Sequence, residues 1–161
     1  MQRNMTKQLS ILLCTYLLSI VTGYAQTPPA NDEPAGAITL PNLNSWCAAA
    51  GTVSNVGATY NMSLPYTYGF ESHDIWYRFQ AVSATVEIEI SEAVASPAVY
   101  FIIRGRDSSL AVIGAASTQN VTTRSLAVNN LTVGDWYYFN LSSGNGSTGN
   151  IGLCINQEVS Y

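Results

Sequence analysis

The clearest periodicity in the chain lies over residues 84–90 (ATVEIEI), where Val86, Ile88 and Ile90 fall on one side and Thr85, Glu87 and Glu89 on the other. A period of two with one charged face predicts a half-exposed antiparallel strand. Residues 74–80 (DIWYRFQ) carry three large aromatics. Pleat parity puts Ile75, Tyr77 and Phe79 on one face, with Trp76 and Arg78 on the other. Bulk on both faces predicts a strand inside a sheet, covered on both sides at least in part. Residues 98–104 (AVYFIIR) read the same way, and 136–141 (WYYFNL) form a second aromatic strand. In the closing segment 151–155 (IGLCI), Ile151, Leu153 and Ile155 share one face and Cys154 takes the other. Shorter strands are expected over 37–40, 110–113 and 126–131. Residues 42–63, rich in Gly, Asn, Ser and Thr, read as loop with one or two brief strands. Past residue 25 no apolar spacing of helical period persists. Short strands between Gly/Asn/Ser turns predict an all-β sandwich or barrel.

The first 25 residues follow a different pattern. Arg3 and Lys7 precede an apolar run over 9–21, which is shorter than the roughly 20 residues a membrane span takes. Gly23-Tyr24-Ala25 then offers small residues at the positions a signal peptidase reads. The chain therefore divides into a signal peptide over 1–25, an extended lead-in over 26–36 and a β-sandwich module over 37–161. Leu12 and Leu13 before Cys14 argue against a lipidation signal. The expected location is secreted, periplasmic or cell-surface, with no membrane insertion once the leader is cleaved.

Composition narrows the partners. Hydrophobic residues make up 47% of the chain and charged residues 10%, enough apolar material for one packed core. Beyond the leader, ten acids face only Arg78, Arg104, Arg106 and Arg124, a balance of −6 with no lysine. That excludes the electrostatic footprint of nucleic-acid or anionic-membrane binding. Two cysteines remain, Cys47 and Cys154. In an exported domain the simplest reading is a disulfide, two separate buried thiols being the alternative. Because Cys154 opposes the apolar face of its strand, such a bridge belongs on an outer face or edge.

The candidate chemistry is sparse. His73 and Asp74 are the one histidine–acid neighbours, but adjacent strand residues point to opposite faces. No Gly-x-Ser-x-Gly occurs. Glu87 and Glu89 share a face, as glycoside hydrolysis would need, yet so do the charges of any solvated strand. No catalytic residue is assigned. No cofactor is expected either, although Asp32, Glu33, Asp74, Asp107 and Asp135 at strand ends leave calcium open. Asn61, Asn120, Asn130, Asn140 and Asn145 begin Asn-x-Ser/Thr triplets. In residues 63–73 (SLPYTYGFESH), Tyr66, Tyr68 and Phe70 alternate. They either cap one end of the sandwich or form an exposed binding surface, and they are the candidate ligand-binding residues.

Taken together, these stretches resemble a family pattern. Residues 29–38 (PANDEPAGAI) resemble the opening of secreted bacterial modules related to the pre-peptidase C-terminal domain, and 74–79 (DIWYRF) resemble their Asp-Val-Trp-Tyr-Lys-Phe strand. Residues 131–139 (LTVGDWYYF) and 149–155 (GNIGLCI) are similar to their late strands. Pro34 stands where many such modules carry a cysteine. The resemblance implies a jelly-roll-like antiparallel β-sandwich that performs no chemistry, appended to secreted enzymes or adhesins, with calcium used by some collagen-binding relatives. The expected function is an exported non-catalytic module that binds a polysaccharide or protein surface or serves as an accessory domain. The alternative is a purely structural or envelope-assembly protein without a small ligand.

Overall fold

The computed structural model describes residues 26–41, 44–59, 73–92, 99–105, 110–118, 121–143 and 148–157. Its strands are β1 (Ile38–Thr39), β2 (Ser45–Cys47), β3 (Val53–Ser54), β4 (Ile75–Gln80), β5 (Val86–Glu92), β6 (Val99–Arg104), β7 (Val112–Ser117), β8 (Thr123–Val128), β9 (Trp136–Ser143) and β10 (Asn150–Asn156). One sheet, here sheet A, runs β1-β4-β9-β6-β7; the other, sheet B, runs β2-β10-β5-β8, with β3 also on β10. β2 pairs with Cys154–Asn156 and β3 with Asn150–Ile151, so the two are halves of one edge strand. Counting them as one and leaving β1 aside, the chain crosses between sheets at every step but the β6–β7 hairpin, in jelly-roll order. The all-β, jelly-roll-like expectation holds, with one departure: the two-residue β1 pairs parallel to β4.

The core lies between the inner faces. Ile75 and Phe79 of β4, Ile88 and Ile90 of β5, Phe139 and Leu141 of β9, and Leu153 and Ile155 of β10 are all buried. The alternation of β5 and β10 thus follows the pleat. β4 and β9 pair over six residues, and this brings Tyr77 against Phe139 at 5.1 Å and Phe79 against Tyr137 at 5.9 Å between ring centroids. Offset aromatic pairs of this kind add to burial. Trp76, on the opposite face of β4, is also fully buried, so the strand is covered on both sides as its sequence requires.

Two strands differ from expectation. β7 runs to Ser117, past the expected stop at Ile113, because Gly114, Ala115 and Ala116 supply no bulk for a pattern to show. A Cβ at Gly114 would stand 2.6 Å from Val128 Cγ2, so close approach of β7 to β8 demands the bare backbone. β8 begins at Thr123, earlier than the expected 126–131, and Asn130 sits outside it at φ 67. Its first residues are exposed and polar, as suits a sheet edge.

Buried polar side chains fasten the loops. Asn31 donates to the Trp76 carbonyl at 3.1 Å and accepts, at its own carbonyl, the Trp76 N–H at 2.8 Å. The Asp32 carboxylate accepts from Thr59 N–H and Oγ, both at 2.6 Å. Gln157 accepts from Val82 N–H and donates to the Gln80 carbonyl, tying the exit of β4 to the end of β10. The disulfide forms. Cys47 and Cys154 are register partners with Cα atoms 4.0 Å apart, and both lie away from the core.

Two outcomes test this packing. Phe79→Ala should cost roughly 3–5 kcal/mol in urea unfolding, since the ring is fully buried. Cys47→Ser/Cys154→Ser should lose up to roughly 4–5 kcal/mol through the entropy of an unfolded loop no longer closed across 107 residues. Its far-UV circular dichroism should stay unchanged at low temperature, because the bridge lies outside the core.

Candidate functional site

The sequence-based candidates Tyr66, Tyr68 and Phe70 lie outside the described residues, as does Asp107. The other candidates are scattered. The Asp32 carboxylate is already engaged by Thr59 near the start of β4, while the Asp135 carbonyl accepts from Ala81 N–H at the far end of that strand. Among the described residues, no three His, Cys, Asp or Glu side chains form a group able to hold a metal. His73 Nδ1 is buried without a hydrogen-bond partner, so nothing orients the ring there as a catalytic base requires. Glu87 and Glu89 are exposed on the outer face of sheet B. They line a shallow concavity of about 190 Å³ with Ser45, Cys154, Ile155 and Asn156. Asn140 is fully buried, which closes its triplet to glycosylation in the folded state, whereas Asn130 is exposed.

The outer face of sheet A is built differently. The β4–β9 and β6–β9 registers place Arg104, Tyr138 and Arg78 in one row across three strands, with Thr39 of β1 beyond Arg78. The neighbouring row toward the start of β4 pairs Trp76 with Asn140, and the row toward its end pairs Gln80 with Trp136.

The first side of this face is closed. Trp76, Arg104 and Asn140 are each fully buried. The Arg104 guanidinium stands 5.4 Å from the centre of the Trp76 ring, donates from Nε to Asn140 Oδ1 at 2.9 Å, and donates from a terminal nitrogen to the Leu110 carbonyl at 3.0 Å. A buried cation needs such partners, because its desolvation would otherwise be prohibitive. Next to this cluster, both Asp74 carboxyl oxygens are buried and complete no hydrogen bond. Burial pushes the Asp74 carboxyl up to about 7. Its own N–H and the Trp76 indole N–H favour the charged form from beyond full hydrogen-bond geometry, and the Asp32 and Glu33 carboxylates raise it further.

The second side is open. Trp136 is 41% exposed, and the Arg78 guanidinium lies 5.2 Å from the centre of its ring. Arg78 Nε donates to Thr39 Oγ1 at 2.8 Å, and Gln80 Nε2 donates to the Gly134 carbonyl at 2.8 Å. An indole, a phenol at Tyr138, a guanidinium and an amide thus sit together on one exposed stretch of strand surface. Sequence reasoning missed this grouping. Pleat parity alone places Arg78 outward; putting Trp136 and Tyr138 beside it takes the β4–β9 register.

No family model and no curated protein matches the chain. Similar solved structures include the GH26-CBM35 β-(1,4)-mannanase of Podospora anserina, at 10% identity and a TM-score of 0.41 over 73% of this chain and 28% of that one. Another is CsCBM6-3 of Clostridium stercorarium, solved in complex with cellobiose, at 13% identity and a TM-score of 0.38 over 77% of this chain and 98% of that one. The chain thus spans less than a third of the mannanase. The fold assignment rests on the strand pairing itself.

Asp74 yields a signed pH prediction. The folded protein keeps the proton up to about pH 7, whereas the unfolded chain releases it near 3.8. The folded state therefore binds more protons across that window, and stability falls as pH rises through it. Asp74→Asn should remove that loss and gain on the order of a few kcal/mol over wild type above pH 7. The difference should shrink toward pH 4 in urea unfolding series, and parallel pH profiles for the two proteins would contradict the assignment.

Proposed function

We propose that the chain is an exported, non-catalytic β-sandwich module that binds a glycan through the outer face of sheet A around Trp136. The observation that carries this reading is the exposed indole on a regular strand, flanked by Tyr138, Arg78 and Gln80. Sugar rings present apolar C–H faces edged by hydroxyls. A flat aromatic ring with hydrogen-bonding groups at its margin complements both features at little entropic cost. β-Strands also hold such groups more rigidly than loops do.

Export and the kinship with pre-peptidase C-terminal modules belong to this proposal, supported by the leader pattern, the disulfide and the four motifs. Tyr66, Tyr68 and Phe70 stand as a second contact surface next in sequence to β4.

A glycan array followed by affinity electrophoresis tests the proposal. Trp136→Ala should lose at least about tenfold in affinity for any glycan retained by wild type, which is about 1.4 kcal/mol. Its stability should stay within roughly 0.5 kcal/mol, as for other exposed substitutions. A Tyr66/Tyr68/Phe70 triple-alanine variant run in parallel apportions the contact between the two surfaces. Equal retention of wild type and Trp136→Ala would remove sheet A from the claim.

A further inference from the structure

We propose that the face around Trp136 selects acidic sugars, with the Arg78 guanidinium receiving the carboxylate of a uronic acid while the indole receives the ring. This inference rests on the glycan-binding reading above and adds the substrate class.

Three observations carry it. The first is the state of Arg78. Its Nε is used by Thr39 and its guanidinium carbon lies 5.2 Å from the centre of the Trp136 ring, but no carboxylate among the described residues pairs with it. An exposed guanidinium anchored at Nε still offers its terminal nitrogens, which form the fork suited to a planar carboxylate.

The second observation is the distribution of charge. Beyond the leader the chain carries four arginines against ten acids. The described outward positions on the strands of sheet A nevertheless hold Arg78 and Arg104 and no acid. On sheet B the charged outward positions are Glu87 and Glu89. On the outer face of sheet A the Asp74 carboxyl is buried at the closed end, and the strand positions around the exposed indole carry no carboxylate of their own. A carboxylate ligand meets attraction there and repulsion on the opposite sheet.

The third is charge density. One exposed guanidinium on this face, in a chain of net charge −4, suits a ligand with single charges spaced along it. A densely sulfated polymer calls for clustered basic residues, as phosphate backbones do. The assignment is therefore to carboxylate rather than sulfate.

Matched pairs decide the matter: oligogalacturonate, glucuronate-bearing xylan fragments and oligomannuronate, each as the free acid and as the methyl ester, titrated calorimetrically into the full mature chain. At least one acid should bind about tenfold more tightly than its ester, and raising ionic strength should weaken the acid only. Arg78→Gln should abolish the preference for acid over ester, because the charge-assisted contact is lost. Arg78→Lys, which keeps the charge without the fork, should fall between the two. Melting curves of both variants should match wild type, since the side chain is exposed.

Esters binding as tightly as acids, with Arg78→Gln without effect, would overturn this inference and leave the glycan reading intact. Tighter binding of a sulfated galactan than of every uronate would overturn the carboxylate assignment. Absence of binding by acid, ester and neutral oligosaccharide alike would bring down the glycan reading itself.

Discussion

Six residues of β4 and six of β9 stand opposite one another without a slip, from Ile75 and Leu141 to Gln80 and Trp136. A slip of one residue would exchange the faces of either strand. It would send Trp76 and Arg78 inward and expose Phe79, so the stacked rings of Tyr77, Phe139, Phe79 and Tyr137 hold the alignment from the core side. The same alignment arranges the outer face, where it brings Trp76 to Asn140 and Gln80 to Trp136. Core and candidate site are therefore two sides of one register. The aromatic core stabilises the fold, and in doing so it sets the spacing of the groups proposed to meet a ligand.

The outer face of sheet A changes character along its length, and each end has its own physical cause. Toward the start of β4, Asn31 bonds to the edge of the strand and the Trp76–Arg104–Asn140 cluster is fully buried. Buried polar groups that satisfy one another tend to fix a single arrangement, at some cost in desolvation. Not every group there is satisfied: Trp76 Nε1, Asn140 Nδ2 and the Asp74 carboxyl complete no hydrogen bond, and Asp74 relieves its burial by taking up a proton. Toward the end of β4 the surface opens, and Arg78 and Trp136 meet water. Two arginines thus occupy one row in opposite environments. Arg104 is committed to the fold, and Arg78 retains the capacity to bind.

Most of the sandwich was legible where bulk alternates with polarity. β4, β5, β9 and β10 lie where their patterns put them, and Cys154 faces away from the core as pleat parity required. The strands that were misplaced are those whose residues carry little pattern: Gly114-Ala115-Ala116 in β7, selected for closeness to Val128, and the exposed polar start of β8. β2 was hidden because three residues around an outward cysteine show no period at all. The open face was illegible for another reason. Arg78 and Trp136 are 58 positions apart, and nothing local says that β4 and β9 are neighbours or in which register.

Once that register is set, the open face is already braced before any ligand arrives. Arg78 is tethered by Thr39, and Gln80 by the Gly134 carbonyl. Gly134 itself adopts φ 90, a conformation open to glycine, and its N–H bonds the Ala81 carbonyl. The Tyr137 hydroxyl accepts from Thr132 N–H, closing the turn that leads into Trp136 from the core side. Gln157 reaches from the end of β10 to hold Gln80 and Val82, so the opposite sheet also supports the platform. Side chains fixed by intramolecular bonds lose less freedom on binding than loose ones. The proposed selectivity between an acid and its ester would then turn on the ligand's charge against a guanidinium already in place.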